Sequence, residues 1–111
     1  STHDMSVLRT WIEQEMEPNH VITAKMATTT ACTSVISAHL ASPSILAIFP
    51  LQDWLSMSTQ LRAKDPSSER INVPANPDNY WRYRMHLTLE KLCAAHKFNE
   101  EIRQMLYLSG R

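Results

Sequence analysis

Three clusters of side chains in this sequence could carry chemistry. The first is Ser1-Thr2-His3-Asp4. An imidazole beside a carboxylate can hydrogen-bond a polar substrate, and the carboxylate can stabilise positive charge that develops in a transition state. The same residues also suit plain structure, because Asp4 or Ser6 could cap a following helix by accepting its free N–H groups. The second cluster, Gln52-Asp53, follows closely on Ile45-Leu46-Ala47-Ile48-Phe49. Polar groups at the carboxyl end of a buried strand are where α/β enzymes place their chemistry, although Asp53 would serve equally as a helix cap. The third is Asn79-Tyr80-Trp81-Arg82-Tyr83-Arg84, followed by His86. Its rings and guanidinium groups can stack on sugars or nucleobases, or pack on one another and pin the C-terminal helix.

Other chemistries find little support. Among His3, His20, His39, His86 and His96 there is no HxxxH or HxH pair, and no cysteine lies near enough in sequence to complete a zinc set. Metal binding is therefore not expected, and nothing resembles a nucleophile elbow. Gly110 is the single glycine, which rules out a Gly-rich phosphate loop and Asn-Gly hairpins. Eleven Lys and Arg balance eleven Asp and Glu. Without an excess of cations the attraction that nucleic-acid binders use is missing. Cys32 and Cys93 show no CxxC pairing and read as free thiols in a reducing compartment. The least charged stretch, Ala41 to Leu51, is too short to span a bilayer. A soluble, cytoplasmic chain is the expectation, with no membrane or nucleic-acid partner. At 111 residues it is one domain or less, and its start, without an initiator Met, is that expected of a piece of something longer.

The elements that must position these clusters follow from periodicity. Val7, Leu8, Trp11 and Ile12 predict a helix over Met5 to Glu17, stopped by Pro18-Asn19. A second helix is expected from Val21 to Leu40, with Met26, Ala31, Val35, Ala38 and Leu40 drifting around one face. After the Ser42-Pro43-Ser44 break, the apolar run Ile45 to Phe49 reads as a strand buried on both faces and closed by Pro50. Another helix could begin over Asp53 to Met57. Ala63 to Asp78, with Pro66, Pro74 and Pro77, reads as a long connection. Tyr80 to Ala95 suits a helix with Trp81, Met85, Leu89 and Leu92 inward. Asn99 then caps a last helix to about Leu108, with Glu100 and Glu101 at its positive end and Gly110 as its stop. A lone strand cannot satisfy its own backbone, so its partners must come from upstream or from another chain. One strand flanked by helices looks like the tail of an α/β architecture.

In order along the chain, THD-x-x-x-LR-x-W, SPS-x-x-AIFPLQD and ERINVPANPDNYWRYRMHLTLE resemble the carboxyl-terminal part of the 4-α-glucanotransferases. These are the amylomaltases, or disproportionating enzymes, of the α-amylase superfamily, and the likeness is to the long plant-type cytosolic members. It covers nearly the whole chain and is weakest from Glu13 to Thr33. The resemblance implies an α/β fold, the C-terminal part of a (β/α)8 barrel comprising about strands seven and eight with their helices, mostly helical when taken alone. Residues 1–111 would all belong to that barrel, with no separate second domain.

The same resemblance makes Asp4 the transition-state stabiliser at the end of strand seven. His3 would hydrogen-bond the glucose ring in the donor subsite. Gln52 and Asp53 would lie just past strand eight, Ile45 to Phe49, and contribute more to substrate positioning than to chemistry. Glu69, Arg70, Asn72, Pro74, Trp81 and Arg84 match a family block that reads as mostly structural. The chain departs from the family at Trp11-Ile12, where a second tryptophan is usual, and in the shortened stretch before Ser42.

The activity implied is a retaining double displacement on α-1,4-glucans or maltooligosaccharides, with a sugar hydroxyl replacing water and no cofactor. The nucleophilic Asp and general-acid Glu belong to earlier strands, and a whole barrel needs about 250 residues. The chain alone is therefore expected to be inactive. The competing class is a stand-alone helical interaction module with the aromatic–Arg cluster as its contact surface. A barrel piece should expose an unpaired Ile45–Phe49 edge, whereas a module should not.

Overall fold

A computed structural model describes residues 2–15 and 25–111. The Pro18-Asn19 stop, His20 and the expected helix start at Val21 lie outside the described residues. The elements, in chain order, are α1 (Leu8–Thr10) continuing into a π turn (Trp11–Glu15), α2 (Lys25–Leu40), α3 (Leu51–Leu55), a 3-10 turn (Pro66–Glu69), α4 (Leu89–Ala94) and α5 (His96–Leu108).

The longest helix, α2, buries Thr28, Cys32, Ile36 and Leu40, spaced four apart so that they line one side. This corrects the face expected from Ala31, Val35 and Ala38, of which Ala38 is exposed. Ile36 and Leu40 meet Leu55, Met57 and Phe98 in the main core, with Ile102 and Met105 of α5 packed against it. The last residue locks this arrangement. Arg111 Nε donates to the Leu40 carbonyl at 2.8 Å, and its Nη2 donates to the carbonyls of Ser42 (2.9 Å) and Ser44 (2.7 Å). A cation there satisfies the free carbonyls at the negative end of α2.

Among the described residues there is no strand. The run Ile45 to Phe49, expected to be a doubly buried strand, has no regular structure, and Ile45, Leu46 and Ile48 are 95%, 75% and 84% exposed. A strand needs neighbours to accept and donate its hydrogen bonds, and the described chain offers none. The run is apolar and exposed, but among the described residues it forms no strand edge.

The helix expected over Tyr80 to Ala95 is corrected to six residues, Leu89–Ala94. Trp81 and Leu89 face solvent, at 59% and 66% exposure, instead of pointing inward. Helix nucleation is unfavourable without a cap. The helix starts from Thr88, whose Oγ accepts the Lys91 N–H at 3.3 Å, whereas the Asn79 side chain, which could cap a helix from Tyr80, is bonded to Asn72 instead. Asn99 does not cap α5, which begins at His96; its Nδ2 donates instead to the carbonyls of Leu92 (3.0 Å) and Cys93 (3.3 Å), closing α4. Glu100 and Glu101 consequently fall beyond the first turn of α5. The stop at Gly110 is as read: its φ is 75°, and the Gly110 and Arg111 N–H groups return to Tyr107 and Leu106 in a Schellman motif.

Candidate active site

The segment carrying His3 and Asp4 is a tight turn, closed by the Met5 N–H donating to the Thr2 carbonyl at 3.1 Å. Neither Asp4 nor Ser6 caps α1, whose N-cap position is Val7. The cap comes from far along the chain. Asp53 Oδ1 accepts the Leu8 N–H at 2.9 Å, with the Asp53 side chain almost fully buried. Asp53 therefore does not cap its own helix, which starts at Leu51 after Pro50. It ties α3 to the turn that precedes α1.

Asp4 is held at both carboxylate oxygens. Asn72 Nδ2 donates to Oδ1 at 2.7 Å, and His3 Nε2 lies 3.1 Å from Oδ2. The His3 and Asp4 side chains are each half exposed, so both remain reachable by a ligand. The Asn72 N–H donates to the His3 carbonyl at 3.1 Å, fastening the turn to residues 71–73. The His3 ring stacks obliquely against Trp81 with 4.6 Å between centroids. The third cluster thus reaches the first through Trp81. Beside it, Arg82 lies over the Tyr80 ring at 4.9 Å.

A cavity of about 210 Å³ adjoins this turn, lined by Thr2, His3, Ile48, Phe49, Pro50 and Gln52 among others. Gln52 and His3 therefore share a wall, while Asp53 sits behind it. Gln52 is itself buried, and its Nε2 donates to the Glu69 carbonyl at 3.4 Å.

Beneath lies a buried charged cluster. Arg9 Nη1 donates to the Ala63 carbonyl at 2.8 Å and approaches Glu69 Oε2 at 3.9 Å. Glu69 Oε1 accepts the Ala63 N–H at 3.2 Å. Loss of hydration raises the Glu69 pKa above the ordinary glutamate value, against the pull of that hydrogen bond and of Arg9. Burial likewise raises the Tyr83 phenol, with the Glu69 charge adding to it. Among the described residues no three His, Cys, Asp or Glu side chains are grouped to hold a metal ion. No helix among them is long and apolar enough to cross a membrane.

Asn79 stands out in the sequence only as the first residue of the aromatic–Arg cluster and Asn72 only through the family block; neither position points to Asp4. Asn72 lies 68 positions from Asp4, and nothing near either residue marks the contact. The family block had suggested a structural part for Asn72, which is what a residue looks like when its partner is distant.

A half-exposed carboxylate between an imidazole and an amide, beside a cavity and an exposed tryptophan, can offer hydrogen bonds and a stacking face to a polar ligand. A family model described as 4-alpha-glucanotransferase matches residues 1–89. The chain is 34% identical over 121 residues to the 4-alpha-glucanotransferase DPE2 of Oryza sativa subsp. japonica, covering 100% of this chain and 13% of that protein. It is 30% identical over 114 residues to the 4-alpha-glucanotransferase of Chlamydia pneumoniae, covering 96% and 22%. For the enzyme of Chlamydia trachomatis the identity is 28% over 107 residues, covering 89% and 20%. The chain belongs to the 4-alpha-glucanotransferase family. It spans only 13% to 22% of the length of these relatives. No solved structure matches it.

Proposed function

We propose that this chain is the carboxyl-terminal part of the (β/α)8 barrel of a 4-α-glucanotransferase, about strands seven and eight with their helices, and that Asp4 is its transition-state stabiliser. The observation that carries the reading is the geometry of Asp4: both oxygens are held while the side chain stays half open to solvent. A carboxylate fixed before the sugar arrives opposes the positive charge of an oxocarbenium-like transition state without reorganising. His3 hydrogen-bonds hydroxyls of the donor glucose. Gln52 contributes to the wall of the cavity, and Asp53 acts through position, holding the Asp4 turn against α3. Ile45 to Phe49 is the eighth strand, and its exposed apolar side chains and unpaired backbone are supplied with neighbours by the rest of the barrel.

The reaction is transfer of α-1,4-glucan segments between maltooligosaccharides by a retaining double displacement, with the nucleophile and general acid on earlier strands and no cofactor. An uncharged glucan agrees with the zero net charge. A reducing, cytoplasmic setting agrees with two free thiols, one of them exposed. The stand-alone interaction module is the weaker reading, because a module should not expose an apolar run such as Ile45, Leu46 and Ile48.

Two measurements test the proposal. The pure chain incubated with maltotriose is expected to release neither glucose nor longer maltodextrins, and turnover would overturn the assignment of the nucleophile to other strands. In the parent enzyme, Asp4→Asn is expected to lower kcat by roughly 10²–10³-fold with KM little changed. An unaltered kcat would remove Asp4 from the chemistry.

A further inference from the structure

An asparagine side chain has one end that only accepts hydrogen bonds and one that only donates. At Asn72 both ends are engaged. Asn79 Nδ2 donates to Asn72 Oδ1 at 3.0 Å, and Asn72 Nδ2 donates to Asp4 Oδ1 at 2.7 Å. The Asn72 backbone is clamped as well: its N–H donates to the His3 carbonyl at 3.1 Å, and its own carbonyl accepts from Arg70 Nε at 3.0 Å. Asn79 Nδ2 also reaches the Ile71 carbonyl at 3.4 Å, which keeps its donor end toward Asn72.

Turning the Asn72 amide over would set its carbonyl against the Asp4 carboxylate and its NH2 against the NH2 of Asn79. Both contacts are repulsive, so Asp4 and Asn79 together fix the orientation of the Asn72 amide, and Asn79 holds it there from the acceptor end. We propose that Asn79 and Asn72 form a two-amide relay that positions Asp4, a role that rests on Asp4 being the transition-state stabiliser. A half-exposed aspartate with no fixed donor populates several staggered rotamers. The relay selects one, and an error of about 1 Å in a catalytic group can cost on the order of 10²-fold in rate. Asn79 and Asn72 are positioning residues; neither needs to touch the sugar.

Three-bond NMR couplings from the Asp4 backbone to Cγ, measured on this chain, report the rotamer directly. The unmodified chain is expected to show one rotamer populated near 90%. Asn72→Ala and Asn79→Leu are each expected to lower that share measurably, with His3 alone left to hold Oδ2. The Asn79→Leu result decides the relay, because Asn79 bonds Asn72 and the Ile71 carbonyl and not Asp4, and unmodified His3 ring shifts show that the separate Trp81–His3 contact is intact. Backbone shifts of residues 96–108 serve as the folding control. Rotamer averaging in the unmodified chain, or unmodified couplings in Asn79→Leu, would overturn the proposal. The first of these needs no variant, so a variant that fails to fold leaves the test intact. No sugar is present, so the outcome is independent of the kcat test of Asp4.

Discussion

The carboxylate of Asp53 accepts the Leu8 N–H at 2.9 Å, so a residue of α3 closes the amino end of α1 across 45 positions of sequence. α1 is only one turn before its π segment, too short to stand on its own hydrogen bonds. The turn bearing His3 and Asp4 precedes it directly, and its placement depends on this contact.

Removing the cap leaves a backbone donor without its acceptor. Asp53→Ala is expected to lower the unfolding free energy by about 1–2 kcal/mol. For a domain of this size each kcal/mol corresponds to roughly 4–8 °C in Tm. Asp53→Asn keeps an acceptor oxygen and is expected to fall between. A thermal melt by circular dichroism checks this, and an unchanged Asp53→Ala midpoint would contradict it.

The buried Glu69 gives the stability a pH dependence of defined sign. Its folded pKa is raised by desolvation, so the folded chain binds the proton more tightly than the unfolded chain. The stability linked to that proton is fully present below the ordinary glutamate value and is lost as pH rises through the raised folded value. Glu69→Gln removes the titration. The Tm of the unmodified chain relative to Glu69→Gln is therefore expected to rise as pH falls through that window. The opposite slope would show that Arg9 outweighs burial.

The two thiols are expected to separate by reactivity. Cys93 is exposed, whereas Cys32 is buried on α2 with its pKa raised mainly by that burial. A thiol reagent on the native chain should label Cys93 quickly and Cys32 only on unfolding. Mass spectrometry of timed samples distinguishes the sites, and equal rates would place Cys32 outside the core.

The exposed run Ile45 to Ile48 should drive self-association of the isolated chain. Replacing Leu46→Ser together with Ile48→Ser is expected to shift size-exclusion elution to the monomer. Because these side chains face solvent, the stability of the monomer should change by only about 0.5 kcal/mol or less per site. Monomeric elution of the unmodified chain at all concentrations would refute the link.

Legibility differed from element to element for identifiable reasons. α2 and α5 are legible as helices but not in their buried face or cap, which depend on the packing partner, whereas the Gly110 stop is legible because a positive φ is a property of one residue. Ile45 to Phe49 forms neither the strand nor the burial its apolar run predicts, since both require a neighbour. The Tyr80 to Ala95 helix failed because the pattern counted Trp81 as core, while in the fold its ring packs on His3. In the site, His3 and Asp4 drew attention as adjacent reactive groups, whereas Asn79 is an ordinary amide until Asn72 is placed beside it.

The sequence by itself determined the chemistry available: a neutral chain with no glycine loop and no metal-ligand spacing, an imidazole–carboxylate pair near its start, and motif blocks that mark its family. These are properties of residue types and short spacings, which the chain carries before it folds. Only the tertiary structure decided that Asp53 caps α1 and that Asn72 holds Asp4, and it alone brought Trp81 against His3. Those contacts join residues 45 to 78 positions apart. A side-chain hydrogen bond or ring contact acts over only a few ångströms, so nothing local at either end encodes it.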